Sequence, residues 1–152
     1  IGHTPGPIRT DGGEEIGTHV GLPFYTLGQR GGIGVGGRAG GSGAPWYVVG
    51  KDPARNLLIV AQGEDHPALF TTGLTVRKPN WLCAASEAQA ADITVRLRYR
   101  QPDQEATLTA LDGGDIRIVP RLPQRAVTPG QSAVIYRASR CLGGGVITRT
   151  GL

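Results

Sequence analysis

The sequence predicts a mainly β protein, in which a small β-rich domain is followed by a six-stranded type of β-barrel. The first observation is composition: 25 Gly and 11 Pro among 152 residues are poorly tolerated inside helices and common in turns. The second is spacing, because short apolar segments recur about every ten residues between turn signals. The third is the alternation of apolar and polar residues over 93–100, which is typical of a half-buried strand. A closed barrel would leave these strands without open edges.

Two hairpins are predicted in the first half of the chain. Residues 7–10 and 14–19 flank residues 11–13 (DGG), and Asp-Gly between short apolar segments is a hairpin signal. Residues 46–51 and 57–62 are apolar and β-branched, and the connection between them contains a proline where a turn favours a preset φ. We therefore expect four strands before residue 63.

Residues 25–37 (YTLGQRGGIGVGG) place two long polar side chains, Gln29 and Arg30, beside six glycines. Phe24 and Leu27, with Tyr25 as a further candidate, could form one apolar face of a short helical turn, which Gly28 or Gly31 would end. No other segment combines so much backbone freedom with such polar chemistry. It is therefore a candidate for binding or for positioning groups that act elsewhere.

The hypothesis that this segment binds a nucleotide is disfavoured by the residues around it. Gly32, Gly34 and Gly37 fit the dinucleotide pattern GxGxxG by letter. That pattern requires a strand before it and a helix N-terminus after it, which point backbone N–H groups at a pyrophosphate. Residues 38–44 (RAGGSGA) follow instead and predict a flexible surface loop. We therefore expect a mobile or closely packed glycine loop.

The second half of the chain predicts the barrel. We place the boundary near residues 66–70, giving a central domain over 1–67 and a barrel domain over 68–152. A Thr-Pro-Gly-Gln sequence at 128–131 matches a type II turn. Residues 83–91 are expected to form a polar loop or a short helix. The predicted barrel strands are 69–82 with a break at 78–80, 93–100, 106–110, 116–119, 132–137 and 141–148.

The segment 93–100 carries the strongest functional signal. Its period of two would place three arginines on one face of a strand, while the apolar residues Ile93, Val95, Leu97 and Tyr99 face the other way. The arginines are Arg96, Arg98 and Arg100. Arginine binds phosphate bidentately, and a neighbouring tyrosine can stack on a base. The pattern predicts RNA binding, although a solvated strand face without a ligand would also accommodate these residues; Arg77 and Lys78 could extend the basic face.

Other residue types give no self-contained active site. Cys83 and Cys141 are too few for a disulfide framework and lie in no CxxC motif, so we expect reduced structural thiols, with a redox or persulfide-carrying role as the less favoured alternative. The three histidines have no metal-ligand spacing, and no metal site is expected. There is no apolar segment near 18 residues, so no transmembrane helix is expected. The net charge of +4 allows an anionic partner without requiring one.

Six segments together resemble one family, the tRNA-specific 2-thiouridylases, also called tRNA (5-methylaminomethyl-2-thiouridylate)-methyltransferases. These enzymes place sulfur on C2 of the wobble uridine of certain tRNAs. The resemblance covers nearly the whole chain in order and is weakest over residues 82–92. The segments are IGTHVGLPFYTLGQRGGIGVGG (16–37), PWYVVGKD (45–52), VAQGEDHPAL (60–69), RLRYRQ (96–101), AVTPGQSAVIY (126–136) and CLGGGVI (141–147).

The resemblance implies a chain with the central and C-terminal domains only, the latter a barrel similar to the second domain of elongation factor Tu. Members of the family adenylate the uridine in an N-terminal domain, using ATP and Mg, and carry two catalytic cysteines. Neither Cys83 nor Cys141 matches a catalytic position, so this chain is expected to be part of an enzyme, inactive alone and without a cofactor. Its expected partners are tRNA and, in the full-length enzyme, a persulfide sulfur donor protein, with no membrane or DNA, in the cytoplasm.

The resemblance also implies site residues. In the family, the Arg-Tyr pair of RYRQ and the Gln of TPGQ look like tRNA contacts, and they correspond here to Arg98, Tyr99 and Gln131. We add Arg96 and Arg100 from the strand face. Gln29 and Arg30 are added because the central domain lies near the catalytic site; many members have Lys where this chain has Gly31.

Two alternatives remain at this point. The chain could be a protein-interaction module that docks a sulfur-relay partner or its own catalytic domain. Exposed Trp46, Tyr47 or Trp81 would support that hypothesis. A free-standing methyltransferase is disfavoured, because no glycine motif with an acidic end follows a strand.

Overall fold

A computed structural model describes residues 4–35, 43–89 and 92–151, without the side chains of residues 85 and 86. Most of the glycine loop predicted at 38–44 lies outside the described residues. The chain divides into two compact units, Ile1–Leu69 and Phe70–Leu152. Within the described part, no helix is long and apolar enough to span a bilayer.

The first unit is built on a four-stranded sheet with the strand order β2-β1-β4-β3. Both predicted hairpins are confirmed, since β1 pairs antiparallel with β2 and β3 pairs antiparallel with β4. The two hairpins join through a parallel pairing of β1 with β4, in which Ile8 lies opposite Leu58. Both side chains are buried in the core of this unit. The strands are β1 (Gly6–Thr10), β2 (Glu15–His19), β3 (Trp46–Asp52) and β4 (Leu57–Gln62).

The predicted helical turn after β2 is shorter than expected. It is a single 3₁₀ turn over Leu22–Phe24, because the backbone becomes extended at Tyr25 (φ −116°, ψ 148°). The face predicted to be apolar is therefore divided: Phe24 is 60% exposed, whereas Tyr25 is buried. A second 3₁₀ turn spans Pro67–Leu69.

The second unit is a closed barrel of six strands in the order β11-β12-β6-β9-β8-β7, which confirms the predicted six-stranded barrel. Leu74, Val76, Ile118, Ile135 and Ile147 are fully buried in its core, where removal of apolar surface from water stabilises the fold. The barrel strands are β6 (Leu74–Trp81), β7 (Ile93–Arg96), β8 (Gln104–Ala110), β9 (Ile116–Pro120), β11 (Ser132–Arg137) and β12 (Arg140–Thr150).

Short elements complete this unit. A two-stranded pair joins β5 (Phe70–Thr71) to β10 (Gln124–Arg125). A four-residue helix, α1 (Ala85–Ala88), lies in the segment expected to be a loop or short helix, and a 3₁₀ turn over Asp112–Gly114 precedes β9.

Two strand predictions in this unit are wrong in extent. Strand β6 continues through the predicted break at 78–80, even though Lys78 has a φ of 36°. The strand predicted over 93–100 ends at Arg96, because the chain turns immediately afterwards. Tyr99, which was expected on the apolar inner face, is consequently 90% exposed.

The glycine run of β12 is required by close packing. A Cβ on Gly143 would lie 2.5 Å from the carbonyl oxygen of Asn80, and a Cβ on Gly145 would lie 2.8 Å from Cγ1 of Val76. Gly143 also has a φ of 154°. The third glycine, Gly144, would place a Cβ 2.7 Å from the carbonyl oxygen of Ala133. No larger residue fits here without moving a neighbouring strand.

Candidate nucleic-acid interface

The site is organised by a tight turn that follows β7. The N–H of Gln101 donates to the carbonyl oxygen of Arg98 at 3.3 Å. The side chain of Gln101 then accepts a hydrogen bond from the N–H of Leu97 at 2.9 Å. Arg100 has a φ of 65°, a left-handed conformation that closes the turn. Three consecutive side chains, those of residues 98–100, are therefore displayed outside the barrel.

The turn is anchored through a chain of glutamine side chains. Nε2 of Gln101 donates to Oε1 of Gln124 at 2.9 Å, and Nε2 of Gln124 donates to Oε1 of Gln104 at 3.1 Å. Gln124 is only 5% exposed. Because each amide in the chain has a partner, burial of Gln124 is compensated and the turn is held to the barrel.

The displayed side chains form a cationic and aromatic surface. Tyr99 is 90% exposed, and the guanidinium carbon of Arg100 lies 5.4 Å from the centre of its ring, within cation–π distance. Arg98 is exposed and makes no ion pair with any residue that the structure describes. A free guanidinium beside an exposed ring can contact a phosphate and stack on a base at the same time.

These residues line a groove of about 730 Å³ on the barrel surface. The groove collects five of the seven residues predicted for the site, namely Arg96, Arg98, Tyr99, Arg100 and Gln131. The predicted Arg face is thus assembled differently from the expectation: Arg96 lies at the end of a strand, and the other two arginines lie in a turn. The remaining residues that line the groove are Leu97, Ser132, Val134 and Tyr136.

Arg96 is already engaged by neighbours in the groove. Its Nε donates a hydrogen bond to Oδ1 of Asp103, and its guanidinium lies 4.9 Å from the centre of the Tyr136 ring. The hydrogen bond and the negative charge of Asp103 raise the pKa of Arg96 above its usual value. Arg96 therefore shapes the floor of the groove, while Arg98 carries the uncommitted charge.

Gln131 closes the predicted type II turn. Its N–H donates to the carbonyl oxygen of Thr128 and its Oε1 accepts from the N–H of Thr128, both at 3.3 Å. Gly130 has a φ of 95°, as position i+2 of this turn requires. The Nε2 amide of Gln131 has no partner among the described residues. It is available as a donor to a ligand in the groove.

The other two predicted residues belong to the first unit and have different roles from each other. Oε1 of Gln29 accepts from the N–H of Thr26 at 2.9 Å, and its Nε2 donates to the carbonyl oxygen of Gly31 at 3.0 Å. Gln29 therefore holds the loop in shape. Arg30 is exposed, pairs through its backbone with Tyr47, and has no ion pair within the described part of the chain.

Sequence reasoning missed the residues that support the groove. Gln101 was visible as the last residue of RLRYRQ, but no role was predicted for its side chain. Gln124 and Asp103 gave no signal, because their importance comes from contacts across the barrel. The role of a buried glutamine such as Gln124, in the short strand β10, becomes recognisable only when its partners are known.

Comparisons with known proteins cover both units. Residues 71–147 match the aminomethyltransferase beta-barrel domain family, and residues 1–62 match the tRNA methyl transferase PRC-barrel domain family. The chain is 53% identical over 143 residues to a tRNA-specific 2-thiouridylase MnmA of Hahella chejuensis, covering 94% of this chain and 39% of that protein. Proteins of the same name from Idiomarina loihiensis and Shewanella frigidimarina are 50% and 52% identical over 143 residues, 94% of this chain and 38% of each. The chain thus spans about two fifths of the length of these relatives.

Proposed function

Because the chain belongs to the tRNA-specific 2-thiouridylase family, and its barrel to the aminomethyltransferase beta-barrel domains, we propose that it is the tRNA-binding part of such an enzyme. The complete enzyme would transfer sulfur to C2 of the wobble uridine after ATP-dependent adenylation. This chain would bind and orient the tRNA, and would be inactive alone.

The groove on the barrel is the observation that carries this proposal. Arg98 offers a fork of N–H donors to a phosphate, Tyr99 offers an exposed ring face to a base, and Gln131 offers an amide N–H₂. Each of these contacts suits RNA, in which bases outside helices stack on aromatic rings and phosphates bind arginine. The barrel would therefore hold an unpaired or distorted part of the tRNA.

We assign adenylation and sulfur transfer to the rest of the enzyme, together with ATP, Mg²⁺ and the persulfide donor protein. The described residues do not fit a site for Mg²⁺, since no three carboxylate, imidazole or thiol side chains among them converge. The thiol of Cys83 donates weakly to the carbonyl oxygens of Ala84 and Leu142, which suits a structural side chain. No chemical step is therefore assigned to this chain.

The proposal is tested by replacing Arg98 and Tyr99 by Ala together. We expect tRNA affinity to fall by about tenfold or more, because stacking on one aromatic side chain contributes about 1–3 kcal/mol. Filter binding of an in vitro transcribed tRNA with a wobble uridine measures the change. The slope of log affinity against log salt should become shallower by about 0.7, the value for one lost phosphate contact on single-stranded RNA.

Arg121→Ala is the matched control for this experiment. Arg121 also lies on the barrel, is 75% exposed and is paired with Glu105 at 2.7 Å, so its loss changes the net charge equally. This control should bind tRNA nearly as the parent chain does. Equal affinities of the Arg98/Tyr99 variant and the parent at matched salt would refute the proposal.

The alternative of a protein-interaction module receives less support. Exposed Trp46, Tyr47 or Trp81 would have supported that hypothesis, but Tyr47 is buried and both tryptophans are half-buried. A pull-down of a partner protein that survives high salt and retains no tRNA would nevertheless favour this alternative over RNA binding.

A further inference from the structure

The cations of the barrel differ in whether a carboxylate pairs with them. Arg96, Arg121 and Arg140 are each paired with a carboxylate. Besides Arg98 and Arg100 of the first groove, the cations that make no ion pair within the described part of the chain include Arg77, Lys78, Arg117 and Arg149. Unpaired cations repel one another, so their gathering on one surface favours an anionic partner.

Strand register places Arg77, Arg117 and Arg149 on the outer face of neighbouring strands. Leu74 and Val76 of β6 are fully buried, so the alternate residues Thr75, which is 9% exposed, and Arg77 lie on the outer face of the strand. Thr75 lies opposite Arg117 of β9 and Arg149 of β12, and residues directly opposite share a face. Strand β6 is thus flanked by arginine on both sides.

This basic surface borders a second groove, of about 520 Å³. Two of its lining residues are Gly144 and Gly145, so its floor there is bare backbone. The others are polar or basic apart from one valine: Arg77, Lys78, Asn80, Val146 and Thr148. A floor without side chains admits a sugar–phosphate chain close to the donors at its edge.

The two grooves are lined by residues that lie opposite one another on neighbouring strands. Val134, which lines the first groove, lies opposite Arg96 on one side and Gly144 on the other, and Gly144 lies opposite Asn80. Arg96 and Asn80 are therefore separated by three strand spacings, or about 14 Å. That distance is about four nucleotides at the ~3.4 Å rise of a stacked strand.

Lys78 occupies an unusual backbone conformation at the edge of this groove. Its φ of 36° lies in the left-handed region, which favours glycine over a long side chain. The neighbouring carboxylate of Asp115 accepts a hydrogen bond from the N–H of Lys78 at 3.0 Å and forms no ion pair with the ammonium among the described contacts. The sequence thus has a cation at a position where glycine would suit the backbone better.

From these observations we propose that the second groove binds the sugar–phosphate backbone of the same RNA, with Arg77 and Lys78 as phosphate ligands. The proposal rests on the tRNA-binding function and extends it by a second subsite. Arg117 and Arg149 add positive potential along the path, and the glycine floor lets the backbone pass between the two grooves.

The test uses Lys78→Gly and Arg77→Ala in the 152-residue chain, with Arg121→Ala as the charge-matched control. Glycine relieves the backbone at position 78 while removing the charge, so thermal stability should be unchanged or higher while tRNA affinity falls. Each phosphate contact on single-stranded RNA contributes about 0.7 to the slope of log affinity against log salt. Between 1 M and 0.1 M salt, one such contact therefore increases the affinity by about fivefold. We expect this loss for each variant, and a shallower salt dependence.

The outcomes separate this subsite from the function on which it rests. Failure of the parent chain to bind tRNA would overturn both proposals. Binding that is weakened by the Arg98/Tyr99 replacement but unchanged in both Lys78→Gly and Arg77→Ala would overturn the subsite alone. If Lys78→Gly loses stability, Arg77→Ala decides, because Arg77 has an ordinary strand conformation.

Discussion

The two units differ sharply in charge. The first, residues 1–69, has five Lys and Arg against six Asp and Glu, a net of −1; the second, residues 70–152, has eleven against six, a net of +5. The modest +4 of the whole chain therefore comes entirely from the barrel. The net charge of the whole chain therefore does not show which of the two units would attract a polyanion.

The units nevertheless share a way of displaying arginine. In the first, the side chain of Gln29 holds the loop and leaves Arg30 exposed; in the barrel, Gln101 holds the turn and leaves Arg98 exposed. The two arginines differ in their neighbours, because the barrel places an exposed aromatic ring, a second amide and further cations near Arg98. A single exposed arginine is an ordinary surface residue, whereas several cations converging beside an exposed ring make a candidate binding site.

The largest expected loss of stability concerns the barrel and leaves the first unit folded. Gly143→Ala would force a Cβ to within 2.5 Å of the Asn80 carbonyl oxygen in a residue with a φ of 154°. We expect a loss of about 3 kcal/mol in the free energy of unfolding of the barrel, as overpacking and backbone strain add. Urea denaturation measures it, and tRNA binding should weaken as the barrel unfolds.

Gly12→Ala is the control, since its Cβ would meet only Oγ1 of Thr10 at 3.7 Å. That variant should retain the stability of the parent within about 0.5 kcal/mol. Equal stabilities of Gly143→Ala and Gly12→Ala would contradict the close packing of β12.

A somewhat smaller effect concerns the first unit alone. His19 is fully buried, its Nδ1 accepts from the N–H of Gly21 at 3.0 Å, and its Nε2 lies 2.8 Å from the carbonyl oxygen of Asn56. His19→Ala leaves both backbone groups without partners and opens a cavity, so we expect a loss of about 2–3 kcal/mol. Circular dichroism during urea unfolding reports the loss.

If the units are as distinct as their charges suggest, His19→Ala should leave tRNA affinity unchanged under conditions where the chain is folded. A drop in affinity comparable to that of the Arg98/Tyr99 replacement would show that RNA binding depends on the first unit as well. Arg55→Ala, at an exposed site of the same unit, provides the control for stability.

The smallest expected effect compares Gln101 with Gln29, the two glutamines whose side chains each hold a segment with an exposed arginine in place. Gln101→Ala removes the acceptor for the Leu97 N–H and the partner of Gln124, while every cation remains. We expect about 1–2 kcal/mol of lost stability and a several-fold loss of tRNA affinity, because the displayed residues lose their fixed geometry. Gln29→Ala should reduce tRNA affinity less.

Much of the fold was predictable because it follows from local patterns. Period-2 alternation and turn residues identified both hairpins of the first unit and the strands of the barrel. The end of β7 was not predictable in this way: RLRYR continues the alternation, but the Gln101 side chain takes over the backbone donor of Leu97. A side chain that replaces a backbone hydrogen-bond partner can end a strand without any change in the alternation of apolar and polar residues.

The candidate site was predictable in residue type but not in arrangement. Arg98 and Tyr99 were placed on opposite faces of a strand, whereas the turn displays both outside the barrel. The engagement of Arg96 by Asp103 also depends on a contact between separate segments. Such non-local contacts decide which of several arginines keeps a free charge, and the residue sequence around each one does not encode them.

The anchored turn at residues 98–101 has a kinetic consequence. Since the glutamine chain fixes its backbone before RNA arrives, binding restricts only the side chains of Arg98, Tyr99 and Arg100. Association would then need no slow ordering of a loop, and electrostatic attraction to the basic barrel would set its speed. If the barrel binds RNA as proposed, differences in affinity among RNAs would appear mainly as differences in dissociation rate, and residence time would be the quantity to measure.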